Sequence, residues 1–302
     1  MSNNVNIEEK VYATGFKGFD PGMKCLGKQY AENTVFEEKG GDICGEGVMH
    51  FCENPLDVLN YYPVVNSNGE FNEFAEVKAL ARTQSDANRI ATTKLKIGLK
   101  LDLKGFIDAA VQFSFKKLYN KFSSEPGSRL ASSDPDSQLV SSGDCIYSAS
   151  SGYNSKLVSS GNCNHLASSG NWSQLVSSGD RSWLASSGND NQLVSSGDHS
   201  QLASSGNHSQ LVSSGDHSRL TSSGDYNDIS ATGIHSVIAS TGIRGRVRGA
   251  LGCFIACAEW RDIEGVPTPV SFPSAQVDGV NIKADTWYTV RDGKFVEVQD
   301  NE

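Results

Sequence analysis

Four residues near the start of the chain, Cys25, Cys44, His50 and Cys52, are thiols and an imidazole of the kind that hold zinc in tetrahedral sites. Their gaps are irregular and no Cys-x-x-Cys knuckle is present, so buried, unreactive cysteines are the simpler expectation and a zinc site is the alternative. Arg244, Arg246 and Arg248 alternate near the end of the repeat region and have the chemistry to grip a phosphate or carboxylate. His199 and His217 are eighteen residues apart, with His208 midway between them, and Cys145 and Cys163 share the same spacing. Stacked imidazoles can hold a metal and stacked thiols can crosslink, but positions filled elsewhere by Trp172, Arg181, Asp190 and Tyr226 read first as solvent-facing turns. No Ser-His-Asp set, Walker loop, dinucleotide fingerprint or paired-carboxylate motif is visible.

What positions these groups is a repeat. Glycine recurs at every ninth residue from Gly143 to Gly242, twelve times without a slip. The residue after the preceding leucine alternates Val176, Ala185, Val194, Ala203, Val212, and the residue after the glycine alternates Asp180, Asn189, Asp198, Asn207, Asp216. The true unit is therefore eighteen residues, two halves that differ slightly. Ser200, Leu202 and Ser204 are two apart and point to one side of an extended chain, with Gln201 and Ala203 on the other. Ser205-Gly206-Asn207 then reverses the chain, glycine and Asn/Asp being the residues that best tolerate positive φ.

The expected fold is mainly β: a parallel β-solenoid with two faces and about eighteen residues per coil, roughly seven coils, an α+β N-terminal domain, and caps at both ends. A helix fails, because a nine-residue period places successive leucines on opposite sides of it. A flexible Ser/Gly linker fails too, because linkers do not hold an alternation in phase over a hundred residues. The expected domains are 1–125, ending in a capping helix, the solenoid at 126–249, and a small β cap at 250–302.

The repeat resembles the calcium-binding nonapeptide of RTX proteins, but Ser182, Ser200, Ser209 and Ser218 stand where that motif has its ligand aspartate, so the expectation is a metal-free solenoid. In the front domain, strands are expected near residues 11–19, 48–52, 71–80 and 92–101. A short helix from Pro55 with Asn54 as its cap is expected, as is a longer one capped by Asp102 with Phe106, Ile107, Ala110, Val111, Phe115, Leu118 and Phe122 on its apolar stripe. After Val247, a strand turning near Asp262 and a hairpin around Arg291-Asp-Gly-Lys should form the cap.

Residues 44–62, CGEGVMHFCENPLDVLNYY, resemble the signature of uncharacterised phage and prophage proteins, a family defined by a domain of unknown function. The resemblance extends through the repeat to residues 277–290, VDGVNIKADTWYTV. It implies a phage or prophage origin and supplies no activity. The front domain also looks like an ADP-ribosyltransferase fold, which would place Tyr12, His50 and Glu76 in a pocket, although the Ser-Thr-Ser element of arginine-modifying members is missing.

The 302-residue chain carries a net charge of −9, which argues against nucleic acid as the main partner. No apolar stretch is long enough to span a membrane, the polar N-terminus lacks a signal peptide's apolar core, and seven cysteines do not suggest a disulfide framework. The expectation is a cytoplasmic protein of an infected or lysogenic bacterial host, with no required cofactor. The leading reading is a non-enzymatic binding or structural protein whose solenoid spaces or presents globular ends to a protein or a small anionic ligand, with association of several copies left open. Sequestration of a host nucleotide signal and a transferase-like enzyme or relic are the rivals. Tyr12, His50, Tyr61 and Glu76 are the candidates for a pocket in the front domain, and Arg244, Arg246 and Arg248 for an anion site outside it.

Overall fold

The computed structural model describes residues 10–40, 47–66, 70–86, 88–117 and 121–298. The chain divides into two compact units, Met1–Phe106 and Ile107–Glu302. In the first, the strands are β1 (Ala13–Phe19), β2 (Lys24–Cys25), β3 (Lys28–Gln29), β4 (Val35–Glu37) and β5 (Met49–Phe51). The one-turn helix α1 (Pro55–Val58) follows, then β6 (Glu73–Ala79), β7 (Thr83–Asp86), β8 (Arg89–Thr92) and β9 (Lys94–Leu101). One antiparallel sheet runs β1-β6-β9-β4 and a second runs β5-β8-β7, the two touching where Phe16 pairs with Cys52. Phe19, Tyr30, Met49, Phe51, Val77, Leu95 and Ile97 fill the core between them.

Each expected element of this unit is present. Asn54 caps α1, its side chain accepting from the Leu56 amide at 3.1 Å, while Pro55 occupies the first turn, where its missing N–H costs nothing. Helix α2 (Leu103–Lys117) starts on Asp102, whose carboxylate accepts from the Gly105 amide at 2.7 Å. Phe122, expected on this helix, instead lies on the strand Lys121–Ser123 and pairs with Val140, and Leu118 lies outside the described residues. The Phe106 ring of α2 stacks on Phe74 at 4.2 Å.

The second unit holds the solenoid. Two parallel sheets contain eight strands each, from Lys121–Ser123 to Arg246–Gly249 in one and from Arg129–Ser132 to Phe254–Cys257 in the other. The rungs pair residue i with i+18, as in Leu184, Leu202 and Leu220, except the last, where Val237–Ser240 pairs with Phe254–Cys257 at i+17, so the two-faced closure holds and the coils number eight rather than about seven. Leu175, Leu184, Leu193, Leu202 and Leu211 are at most 1% exposed and form one continuous apolar column. Beside them, Ser200 and Ser218 donate from their hydroxyls to the carbonyls of Gly197 and Gly215, at 3.0 and 3.1 Å. These bonds satisfy polar atoms that a narrow core leaves out of reach of water.

The turns correct one expectation. None of the twelve repeat glycines has positive φ; that conformation belongs to the residue two further on, Asn154, Cys163, Trp172, His199 or His208, at φ of 55–60°. Glycine is required for close approach instead: a Cβ on Gly206 would collide with the carbonyl oxygen of Gly188, one coil below. The intervening Asp or Asn links the coils. Asp180 Oδ1 accepts from the Asp198 amide at 2.9 Å and Asp198 Oδ1 from the Asp216 amide at 2.8 Å, while Asn189 does the same for Asn207 on the other edge. One oxygen of each side chain is thus used within the ladder.

The C-terminal residues end both sheets with antiparallel strands. Ser274–Gln276 adds to Phe254–Cys257, Tyr288–Arg291 adds at Val247, and the expected hairpin closes with Lys294–Glu297. A separate hairpin, Glu259–Ile263 with Val266–Ser271, turns at Glu264-Gly265. It is anchored by Glu259, whose carboxylate accepts from Arg261, the Ser271 hydroxyl and the amides of Asp292 and Gly293. Arg261 and these donors hold the Glu259 carboxyl well below its usual range, at about 2. Among the described residues, no helix is long and apolar enough to cross a membrane.

Candidate functional site

The two broad faces of the solenoid differ. Side chains that alternate outward from the Val-bearing strands, Val140, Val158, Val176, Val194 and Val212, are only 1–2% exposed. The equivalent column on the other face, Ala131, Ala149, Ala167, Ala185 and Ala203, is exposed. Along that face runs a groove of about 1110 Å³ with a floor of alanines and, at its side, the second serine of each alanine-bearing half, Ser151, Ser169, Ser187, Ser205 and Ser223. It reaches Thr241, which also lines a smaller cleft of about 400 Å³ with Ala258, Trp260, Pro269, Val270 and Phe272. Trp260 Nε1 donates to the Thr241 carbonyl at 2.9 Å and fixes the wall of that cleft.

Two residues before each alanine stands a larger outward side chain. Tyr147 stacks on His165 at 4.6 Å, and His165 approaches Trp183 at 5.2 Å, so an aromatic ladder flanks the groove. The groove lining contains hydroxyls and methyls and one carboxylate, Asp134, with no imidazole, thiol or cation. Such a surface suits recognition by shape and neutral hydrogen bonds.

The turn residues form columns along the edges. His199, His217 and His235 stack at 5.1 and 5.2 Å, and His208 lies on the opposite edge against Tyr226 at 4.9 Å. The shared edge of His199 and His217 agrees with the spacing. His235 keeps the same eighteen-residue spacing, in a turn that reads Thr-Gly-Ile in place of Ser-Gly-Asp. The arginines are engaged. Arg246 makes two bonds to Asp228, at 2.7 and 2.6 Å, which raise its pKa, and its guanidinium lies over Trp287. Arg248 is 3.7 Å from Asp285, and Arg244 covers Tyr226.

In the first unit, Tyr12 lies under Lys10, Tyr61 under Arg89, and Glu76 pairs in register with Phe16 on the exposed side of β6. None of them, nor His50, lines either groove. Of the four zinc candidates, Cys44 lies outside the described residues. Among the described residues, no group of three or more His, Cys, Asp or Glu is placed to hold a metal. Cys25 instead has two unforeseen partners. The Lys17 ammonium donates to its Sγ at 3.3 Å and to the His50 carbonyl at 3.0 Å, and the Tyr62 hydroxyl donates to the same sulfur at 3.0 Å. Gly18 leaves room for Tyr62, since a Cβ there would press into its ring. Lys17 is 5% exposed, its Nζ also over the rings of Phe19 and Tyr30, and burial lowers its pKa. Burial, then the bond to Cys25, pushes the Tyr62 phenol up. The one sequence signal for Lys17 is its phase: it shares the inward side of β1 with Phe19.

Residues 13–109 match a family described as a domain of unknown function, DUF7666. The match takes in every strand of the first unit and the first half of α2, and it stops before the solenoid. No curated protein and no solved structure matches the chain.

Proposed function

We propose that the chain is a non-enzymatic binding or structural protein of phage or prophage origin, in which a stiff solenoid presents one bare face and spaces or displays the globular ends. The observation that carries this reading is the inequality of the faces: a shielded valine column on one, and on the other an open alanine-serine groove that runs from Ala131 to Thr241. A rod needed only for length has no use for that distinction. Phage origin is supported by the resemblance of residues 44–62 and 277–290 to the phage signature. Capture of an anion by the arginines must displace Asp228 from Arg246, which makes the groove the better candidate surface.

The test compares full-length protein with the double variant Ala167→Arg/Ala185→Arg, which places two long cations in the groove without entering the core. Each is used as bait in lysates of phage-infected bacteria, followed by quantitative and native mass spectrometry. A partner or second copy held by the parent and by the edge variant His199→Ala, but lost from the groove variant, supports the proposal. Equal retention by all three, or turnover of a substrate by the purified protein, overturns it.

A further inference from the structure

The Lys17–Cys25 contact plays no part in the groove, and a buried lysine facing a thiol instead of a carboxylate is an expensive arrangement. Its partners are the Cys25 sulfur, the His50 carbonyl and two aromatic faces, with no acidic side chain among them. Nζ and Sγ are 3.3 Å apart, Lys17 on β1 of the four-stranded sheet and Cys25 on β2, which pairs with β3 in a separate ribbon. Cys25 is 8% exposed, enough for a small oxidant to arrive and too little for a large thiol to compete. An electrophilic sulfur formed here would have two neighbours in reach, the Tyr62 hydroxyl at 3.0 Å and the Lys17 nitrogen at 3.3 Å, and a neutral amine is a far stronger nucleophile than a neutral phenol.

We propose that Lys17 and Cys25 form an oxidant-triggered covalent pair. Hydrogen peroxide first converts the Cys25 thiol to a sulfenic acid: one peroxide oxygen is transferred to sulfur, and the other leaves as water. The Lys17 amine then attacks that sulfur. The S–N bond forms as the S–O bond breaks, and the hydroxyl leaves with an amine proton as a second water. The product is a sulfenamide that joins residues 17 and 25 and fastens β2 to β1. A thiol reductant returns both side chains to their starting state, so the link is reversible.

Folded full-length protein is treated with hydrogen peroxide, alkylated, cleaved at Phe19 with chymotrypsin and mapped by tandem mass spectrometry. The expected product is a joined pair of peptides, one carrying Lys17 and the other Cys25, about 2 Da lighter than their sum and separated by dithiothreitol. Lys17→Met, an apolar replacement that fits the burial, should lose the link and leave Cys25 oxidised to the sulfinic acid, and Cys25→Ala should lose it as well. Oxidation of Cys25 in the parent protein without attachment to Lys17, a disulfide to Cys52, or resistance of Cys25 to peroxide each overturns the proposal. The parent's peptide map decides even if a variant fails to fold.

Discussion

Gly206 and His208, two positions apart in one turn, divide between them two roles that a tight turn often gives to a single glycine. Gly206 lets coils touch backbone to backbone, and His208 carries the left-handed conformation at φ 55°. Gly206→Ala should therefore destabilise the protein by about 1–3 kcal/mol through overpacking. His208→Gly should be neutral or slightly stabilising, because it relieves a strained φ. Urea denaturation of the two variants checks this, and equal midpoints would refute the division of roles. Leu202 is 1% exposed in a core one leucine wide, so Leu202→Asp should prevent stable folding, a carboxylate there having no partner. Gln201→Asp, on the outward side, should cost about 0.5 kcal/mol or less. The inward and outward phases were legible because the repeat shows the same position many times over. The Lys17, Cys25 and Tyr62 cluster was not, because it joins residues 8 and 37 apart that share no period.

At the level of elements, the C-terminal hairpin hangs on a single carboxylate. The Glu259 carboxyl sits at about 2, below the ordinary glutamate value near 4.5 that it has in the unfolded chain. A depressed pKa of this kind contributes stability that is full above the unfolded value and fades as the pH falls from about 5 toward 2. Thermal melts across that window should show the parent protein losing more than Glu259→Gln, which has no such proton to take up. Parallel pH curves for the two would remove Glu259 from its anchoring role. The strands and caps of this region were readable from turn chemistry, namely Asp262 before Glu264-Gly265 and Asp292 before Gly293. The anchoring was not, because the amides of Asp292 and Gly293 come to Glu259 from more than thirty residues away.

For the solenoid as a whole, the sequence displays the Val/Ala alternation plainly but does not say which face is shielded, since that depends on what covers it and not on the strand itself. The alternation has a further meaning: the rod is a ruler that can be cut only at certain marks. Removing residues 193–210 joins Gln192 to Leu211, keeps every later residue on its own face, and should yield a folded protein shorter by one rung of about 4.8 Å. Removing residues 193–201 joins Gln192 to Leu202 and preserves the leucine, serine and glycine pattern equally well. It nevertheless turns every later valine onto the bare face and every later alanine onto the shielded one. The first deletion should melt cooperatively near the parent temperature, and the second should aggregate or melt far lower. Replication slippage could therefore lengthen or shorten this gene by whole eighteen-residue steps with little penalty, and half-steps would be removed by selection.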